Sequence, residues 1–167
     1  MSRNFGPIQK LTAQDQVDDF SCGRPELDTY LKRFALLNQK SGSAATYVLK
    51  HGKTVIGYYS LAVGSVEHRT APERLARGLA RHPIPVMLLA RLAVSGKFQG
   101  QGSGRILLRD ALIRTVQAGD IAGIRALLVH AKDDEARNWY LAQGFYPSPT
   151  DPLHLFVLLK DVAALLA

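Results

Sequence analysis

The sequence predicts a mixed α/β fold, one sheet with helices packed on it. Three observations lead there. "IPVMLLARLAVS" and "IRALLVHA" are short, almost wholly apolar runs of the kind that form central strands buried on both faces. Between and around them lie longer stretches whose apolar residues recur at helical spacing. The chain has 167 residues, 47 % of them hydrophobic and 21 % charged, which suits a single domain over residues 1–167 with one core.

Each element follows in order. "GPIQKL" reads as a first strand. "FSCGRPELDTYLKRFALLNQKSG" reads as a helix, with Pro25 in its first turn, Leu27, Tyr30, Leu31, Phe34 and Leu37 or Asn38 at helical spacing, and Gly42 at its end. "AATYVLK" and "KTVIGYYSLAVGSVEH" form a hairpin whose two-residue turn is His51-Gly52. "PERLARGLAR" reads as a short helix closed by His82-Pro83, and "IPVMLLARLAVS" as the buried central strand. "GRILLRDALIRTVQAG" is a helix with a broad apolar face, "IRALLVHA" a strand, and "DDEARNWYLAQGF" a short helix with Asp133 as N-cap and Gly144 as C′. "LHLFVLL" is the last strand. The order is β-α-β-β-(α)-β-α-β-α-β.

Composition restricts function as well. The N-terminal stretch "MSRNFGPIQKLTAQDQ" lacks the apolar core of a signal peptide, and no apolar run reaches the length of a membrane span, so the cytoplasm is expected. Cys22 is the sole cysteine and the histidines are scattered, so neither an internal disulfide nor a metal site is expected. The net charge is +7, and from Arg69 to Arg114 nine basic residues face only two acids, Glu73 and Asp110, which points to a polyanionic partner.

The chemistry is concentrated in "KFQGQGSGRILL", where Gly100, Gly102 and Gly104 alternate between a buried strand and a helix. Such an elbow is a phosphate cradle: glycines let backbone approach an anion, and the amides of a helix N-terminus converge on it. The P-loop pattern is absent. The dinucleotide fingerprint fails too, because its last glycine would fall on Arg105 or Leu107. What fits is Gln-x-x-Gly-x-Gly, Gln99 to Gly104.

On these residues, "LARLAVSGKFQGQGSGRILLRDAL" resembles the acetyl-CoA-binding core of the GNAT superfamily of N-acetyltransferases. "FSCGRPELDTYLKRFALLNQKSGSAATYVL", "GYYSLAVGSVEH", "PIPVMLLARLAV" and "EARNWYLAQGF" extend the likeness to one branch, the tRNA-acetylating toxins of bacterial type II toxin–antitoxin systems. The resemblance implies a GNAT fold: a central, mixed, mostly antiparallel sheet of six or seven strands, a splayed pair formed by the strands "IPVMLLARLAVS" and "IRALLVHA", and about four helices. It implies acetyl-CoA as acetyl donor, with its pantetheine arm on the backbone of Leu92, Ala93 and Val94. Its pyrophosphate would lie on Gln99, Gly100, Gln101, Gly102, Ser103 and Gly104, with Arg105 near by. It further implies that Asn138 contacts the CoA arm and that Tyr140, in "Asn-x-Tyr-x-x-x-Gly-Phe", protonates the departing thiolate. Trp139 reads as a likelier core residue than Tyr140, since adjacent helix positions face different ways.

No acid lies on the strand Met87 to Val94, and Glu67 at a strand end reads as solvated, so no general base is apparent. That suits an α-amine, whose pKa is near 7.7–8.0 and lower still in an ester, better than a lysine. Arg74, Arg77 and Arg81, at i, i+3 and i+7, would share one helix face, with Arg69 just before them, and are the candidates for tRNA phosphates. Arg91, within the buried strand, needs either a partner or a site: it is a further candidate for tRNA, lining the acceptor groove, or else pairs structurally with an acid.

The function expected is acetylation of the α-amino group of aminoacyl-tRNA, which inhibits translation. The resemblance also implies a homodimer, and neutralisation by a ribbon-helix-helix antitoxin through which alone DNA would be met. An acetyltransferase for a small-molecule or protein amine, and a non-catalytic RNA- or acyl-CoA-binding module, are the alternatives.

Overall fold

The computed structural model describes residues 5–166. The start of the N-terminal stretch read against a signal peptide lies outside them. The strands are β1 (Gln9–Lys10), β2 (Ala45–His51), β3 (Thr54–Val66), β4 (Ile84–Val94), β5 (Ala126–His130), β6 (Tyr146–Pro147) and β7 (His154–Leu158). They form a seven-stranded sheet in the order β1-β2-β3-β4-β5-β7-β6. β4 and β5 run parallel, whereas β1–β2, β2–β3, β5–β7 and β6–β7 are antiparallel. The helices are α1 (Pro25–Thr29), α2 (Ala35–Ser41), α3 (Glu73–Ala76), α4 (Ser103–Ile121), α5 (Asp134–Ala142) and α6 (Val162–Leu166). Among the described residues no helix is long and apolar enough to cross a membrane.

The chain divides into two compact units, residues 1–62 with 90–111, and residues 63–89 with 112–167. The first has a core of Leu11, Phe20, Leu27, Tyr30, Leu31, Val48, Val55, Tyr58 and Ala93 among others. Tyr58 is fully buried and stays satisfied because its hydroxyl donates to the Leu27 carbonyl at 2.7 Å. Gly57 serves the same unit: a Cβ there would lie 2.9 Å from Leu107 Cδ1, so the glycine leaves room for the Leu107 side chain of α4 against β3. The second unit is built on Leu75, Ile84, Val86, Ala126, Phe156 and Leu158.

Several expectations need correction. The first helix is interrupted by a π turn, Tyr30–Phe34, in which the Ala35 amide donates to the Tyr30 carbonyl five residues back. The extra residue rotates the apolar stripe: Phe34 is 49 % exposed while Ala35 is buried, and of the Leu37 or Asn38 alternatives Leu37 is 63 % exposed and Asn38 half-buried. The hairpin turn falls at Gly52-Lys53, one residue later than expected, with His51 opposite Thr54 and Gly52 at φ +66°. The helix read over "PERLARGLAR" stops at Ala76, because Gly78 adopts φ +78°. In β4, Ile84, Val86, Met87 and Leu89 are buried, but Pro85 and Ala90 are exposed and Arg91, Leu92 and Val94 are half-buried, so its last part is not core on both faces. The two-residue strand β6 and helix α6 carry too short a pattern to be read from sequence.

Helix α5 begins and ends as expected. Asp133 accepts from the Ala136 amide at 2.8 Å. Gly144, at φ +103°, closes a Schellman motif in which the Phe145 amide donates to the Tyr140 carbonyl and the Gly144 amide to Leu141. Replacing Gly144 by Ala forces a left-handed L-residue, at about 1–2 kcal/mol, and drives its Cβ into Leu165 Cδ2. The expected result, read by thermal melting, is a midpoint lowered by several degrees.

Candidate active site

The glycine elbow has the geometry its composition suggests. Gly100 and Gly102 lie at φ +74° and +84°, conformations that side chains resist. The loop is tied down at its entrance. Gln99 Nε2 donates to the Val94 carbonyl at 2.7 Å and to the Cys22 carbonyl at 2.9 Å. The Gln99 amide is engaged as well, donating to Gly96 at 3.4 Å, so the open amides begin at Gly100. Among the described residues the amides of 100–105 donate to no backbone carbonyl; the ladder of α4 starts with Ile106 donating to Gly102 at 3.1 Å. Ser103 is buried and its Oγ has no hydrogen-bond partner among the described residues. Open amides at the N-terminus of a 19-residue helix, together with an unpaired hydroxyl, fit an anionic diphosphate. Gln101 is exposed and donates only to Lys97, while Gly104 is half-buried and Arg105 is exposed beside them.

On the strand side, registered β4–β5 pairing covers Val86↔Ala126 to Leu89↔Val129. β4 then runs on through Leu92, Ala93 and Val94 beyond that register, which leaves backbone groups for an extended ligand. Arg91 lies here, and its partner is an aromatic ring instead of an acid: its guanidinium carbon is 3.5 Å from the Tyr30 ring centroid.

In the second unit, Asn138 is exposed on α5 while Tyr140 is buried. The relative burial of the two aromatic neighbours is therefore the reverse of the expectation, with Trp139 only half-buried. Tyr140 is packed edge-on by Trp139 at 4.9 Å and Phe145 at 5.4 Å. Burial pushes its phenol well above the ordinary tyrosine value, because the phenolate would be desolvated. The group therefore stays protonated at neutral pH.

The arginines do not share a helix face, since α3 ends before Arg77. Arg74 pairs with Asp161 at 2.7 Å and lies 4.2 Å over the Tyr146 ring. Arg77 pairs with Glu73 at 3.2 Å, and Arg69 with Glu67 at 3.1 Å. Arg69 and Arg81 line a cavity of about 680 Å³ with Glu67, His68, His82 and Pro83. Glu67 is solvated as expected, its side chain 63 % exposed.

One arrangement escaped the sequence reading. His130 and His154 stack with centroids 3.9 Å apart and planes 18° off parallel, and His154 Nε2 lies 3.3 Å from Asp151 Oδ2. The two histidines face each other in the β5–β7 register. Only that strand pairing brings them together, and spacing along the chain carries no sign of it.

A sheet with one parallel pair, a strand that outruns its neighbour, and an open-amide elbow entering a long helix define an acyl-CoA-dependent transferase. The chain belongs to the acetyltransferase (GNAT) domain family, whose model matches residues 42–147. It is 49 % identical over 97 % of both chains to the tRNA-acetylating toxin of Mycobacterium tuberculosis. Among solved structures it resembles AtaT complexed with acetyl-methionyl-tRNAfMet, with a TM-score of 0.88, 26 % identity and coverage of 98 % of this chain and 100 % of that one. It also resembles a mutant AtaT toxin bound to the C-terminus of the antitoxin AtaR and acetyl-CoA, with a TM-score of 0.82, 27 % identity and coverage of 97 % of each chain.

Proposed function

We propose that the chain is a cytoplasmic toxin that acetylates the α-amino group of aminoacyl-tRNA, stops translation, and is silenced by a cognate antitoxin. The observation that carries this reading is the 49 % identity to a tRNA-acetylating toxin over 97 % of both chains. The antitoxin is taken to be of ribbon-helix-helix type and the toxin to act as a homodimer, as in the branch the sequence resembles.

Acetyl-CoA supplies the activated acetyl group as a thioester. The amides of Gly100 to Gly104, with Ser103 Oγ and Arg105, hold its diphosphate, and the backbone of Leu92, Ala93 and Val94 pairs with its arm. Asn138, exposed on α5, is a further contact for that arm. Tyr140, kept neutral by its apolar surroundings, delivers the proton that the sulfur needs. Arg81 offers the least encumbered cation for RNA phosphates, while Arg69 is held by Glu67 and would have to exchange partners. Arg74 and Arg77 are each held by an acid and would have to exchange partners, and Arg91 is committed to Tyr30.

The test is to incubate the protein with acetyl-labelled acetyl-CoA and charged tRNA. Label is expected in the tRNA fraction, released by mild alkali as an N-acetylated amino acid. Label confined to lysine-containing peptides or small amines overturns the reading. RNA binding should also weaken as salt rises, since counterion release drives it.

A further inference from the structure

No acid on β4 is available to take a proton from the attacking amine, yet an amine that forms an amide must lose one. The stacked histidine pair offers an acceptor. His130 is the last residue of β5 and follows the final registered pair, Leu89↔Val129, by one position. It lies at the carboxyl end of the parallel pair, the end at which ligands bind in sheets with parallel strands. Its side chain is exposed.

The face it occupies follows from the register. Residues two apart on a strand share a face. Leu128 pairs with Phe156, and Phe156 with Tyr146; His130 pairs with His154 two positions on. His130 therefore emerges on the sheet face that carries Phe156 and Tyr146. Arg74 lies over Tyr146, and Leu75 packs in the cluster containing Phe156. The arginine-bearing segment and His130 belong to the same face of the second unit.

We propose that His130 is the proton acceptor for the attacking amine; this rests on the acetyltransferase reading above. The amine nitrogen forms the new C–N bond and becomes cationic, and one of its protons passes to a ring nitrogen of His130. The C–S bond breaks, and Tyr140 gives its proton to the departing thiolate. His130 then loses a proton to solvent and Tyr140 regains one, so that an amine and a thioester have become an amide and a thiol.

The surroundings suit the role. The groups that act on His130 are His154 from β7 and Asp151 from the preceding loop. Partial desolvation at its exposed position, and then His154, hold the His130 ring below the ordinary imidazole value, against a smaller opposing pull from Asp151, so it is neutral and able to accept a proton at pH 7. His154 is positioned by Asp151 and covers one face of the His130 ring, which fixes its orientation.

The test is the pH dependence of kcat/KM for charged tRNA with H130Q and H130A. In the wild type, log kcat/KM should rise with slope one below the substrate amine's pKa, and steepen to slope two at lower pH, below the ordinary imidazole range, where His130 also protonates. H130Q should lose about 10²-fold in rate and keep slope one throughout. Added imidazole should restore part of the activity of H130A. Wild-type rates and slope in H130Q, or an H130A defect that imidazole leaves untouched, overturn the assignment. If the wild type labels no tRNA at all, the acetyltransferase reading fails instead, and the two failures are distinct.

Discussion

Replacing Tyr140 by Phe should lower kcat for acetyl transfer by about 10²–10⁴-fold while KM for acetyl-CoA changes little. The substitution keeps the ring, and with it the edge-on contacts to Trp139 and Phe145, so the fold is preserved and only the hydroxyl is lost. What disappears is a proton for the departing thiolate. The pH dependence carries a second expectation. Because burial raises the phenol's pKa, the acid form persists as pH climbs through the ordinary tyrosine range. The rate of the wild type should therefore not fall between about pH 8 and 10, the range in which an unperturbed phenol begins to ionise. Single-turnover kinetics with pre-bound acetyl-CoA separate this chemical step from binding. A Y140F rate within threefold of wild type, or an alkaline decline centred near pH 9, would sink the assignment.

The sequence disclosed the fold wherever the local pattern and the tertiary environment agree. β2, β3, β5, β7, α4 and α5 stand within a few residues of their expected bounds, because each carries several residues of consistent periodicity bounded by glycine or a capping acid. The elbow was equally plain, since positive φ at Gly100 and Gly102 demands glycine. Misreadings arose where one residue shifts a frame. The π turn at Tyr30–Phe34 leaves composition untouched yet breaks the helical spacing and leaves Phe34 at the surface. Gly78 ends α3 after four residues and so dissolves the row of arginines that spacing alone had constructed. Tyr140 and Trp139 are adjacent and both aromatic. Which of them is buried depends on the helix's rotation against the sheet, not on either side chain. The histidine pair lies furthest from sequence reading, because its members are brought together only by the register of two antiparallel strands.

The elbow itself yields the remaining large effect. Gly102→Val should weaken acetyl-CoA binding by about 10–100-fold, measured as Kd by calorimetry, with the melting temperature close to wild type. The physical cause is backbone conformation and not crowding, since a Cβ at Gly102 meets nothing within 4 Å. At φ +84° a β-branched residue is strained, so the loop relaxes toward negative φ and its amides cease to converge. A loss of about 1.4–2.8 kcal/mol in binding corresponds to that 10–100-fold range. Gly123→Ala is the matched control. Its Cβ likewise meets nothing within 4 Å, but Gly123 is not at positive φ, so acetyl-CoA binding should be unchanged. If G102V binds acetyl-CoA as the wild type does, the open amides of residues 100–105 are not the diphosphate seat. If G102V and G123A weaken binding equally, the effect belongs to general loosening of the chain and not to the conformation that the elbow's glycines hold.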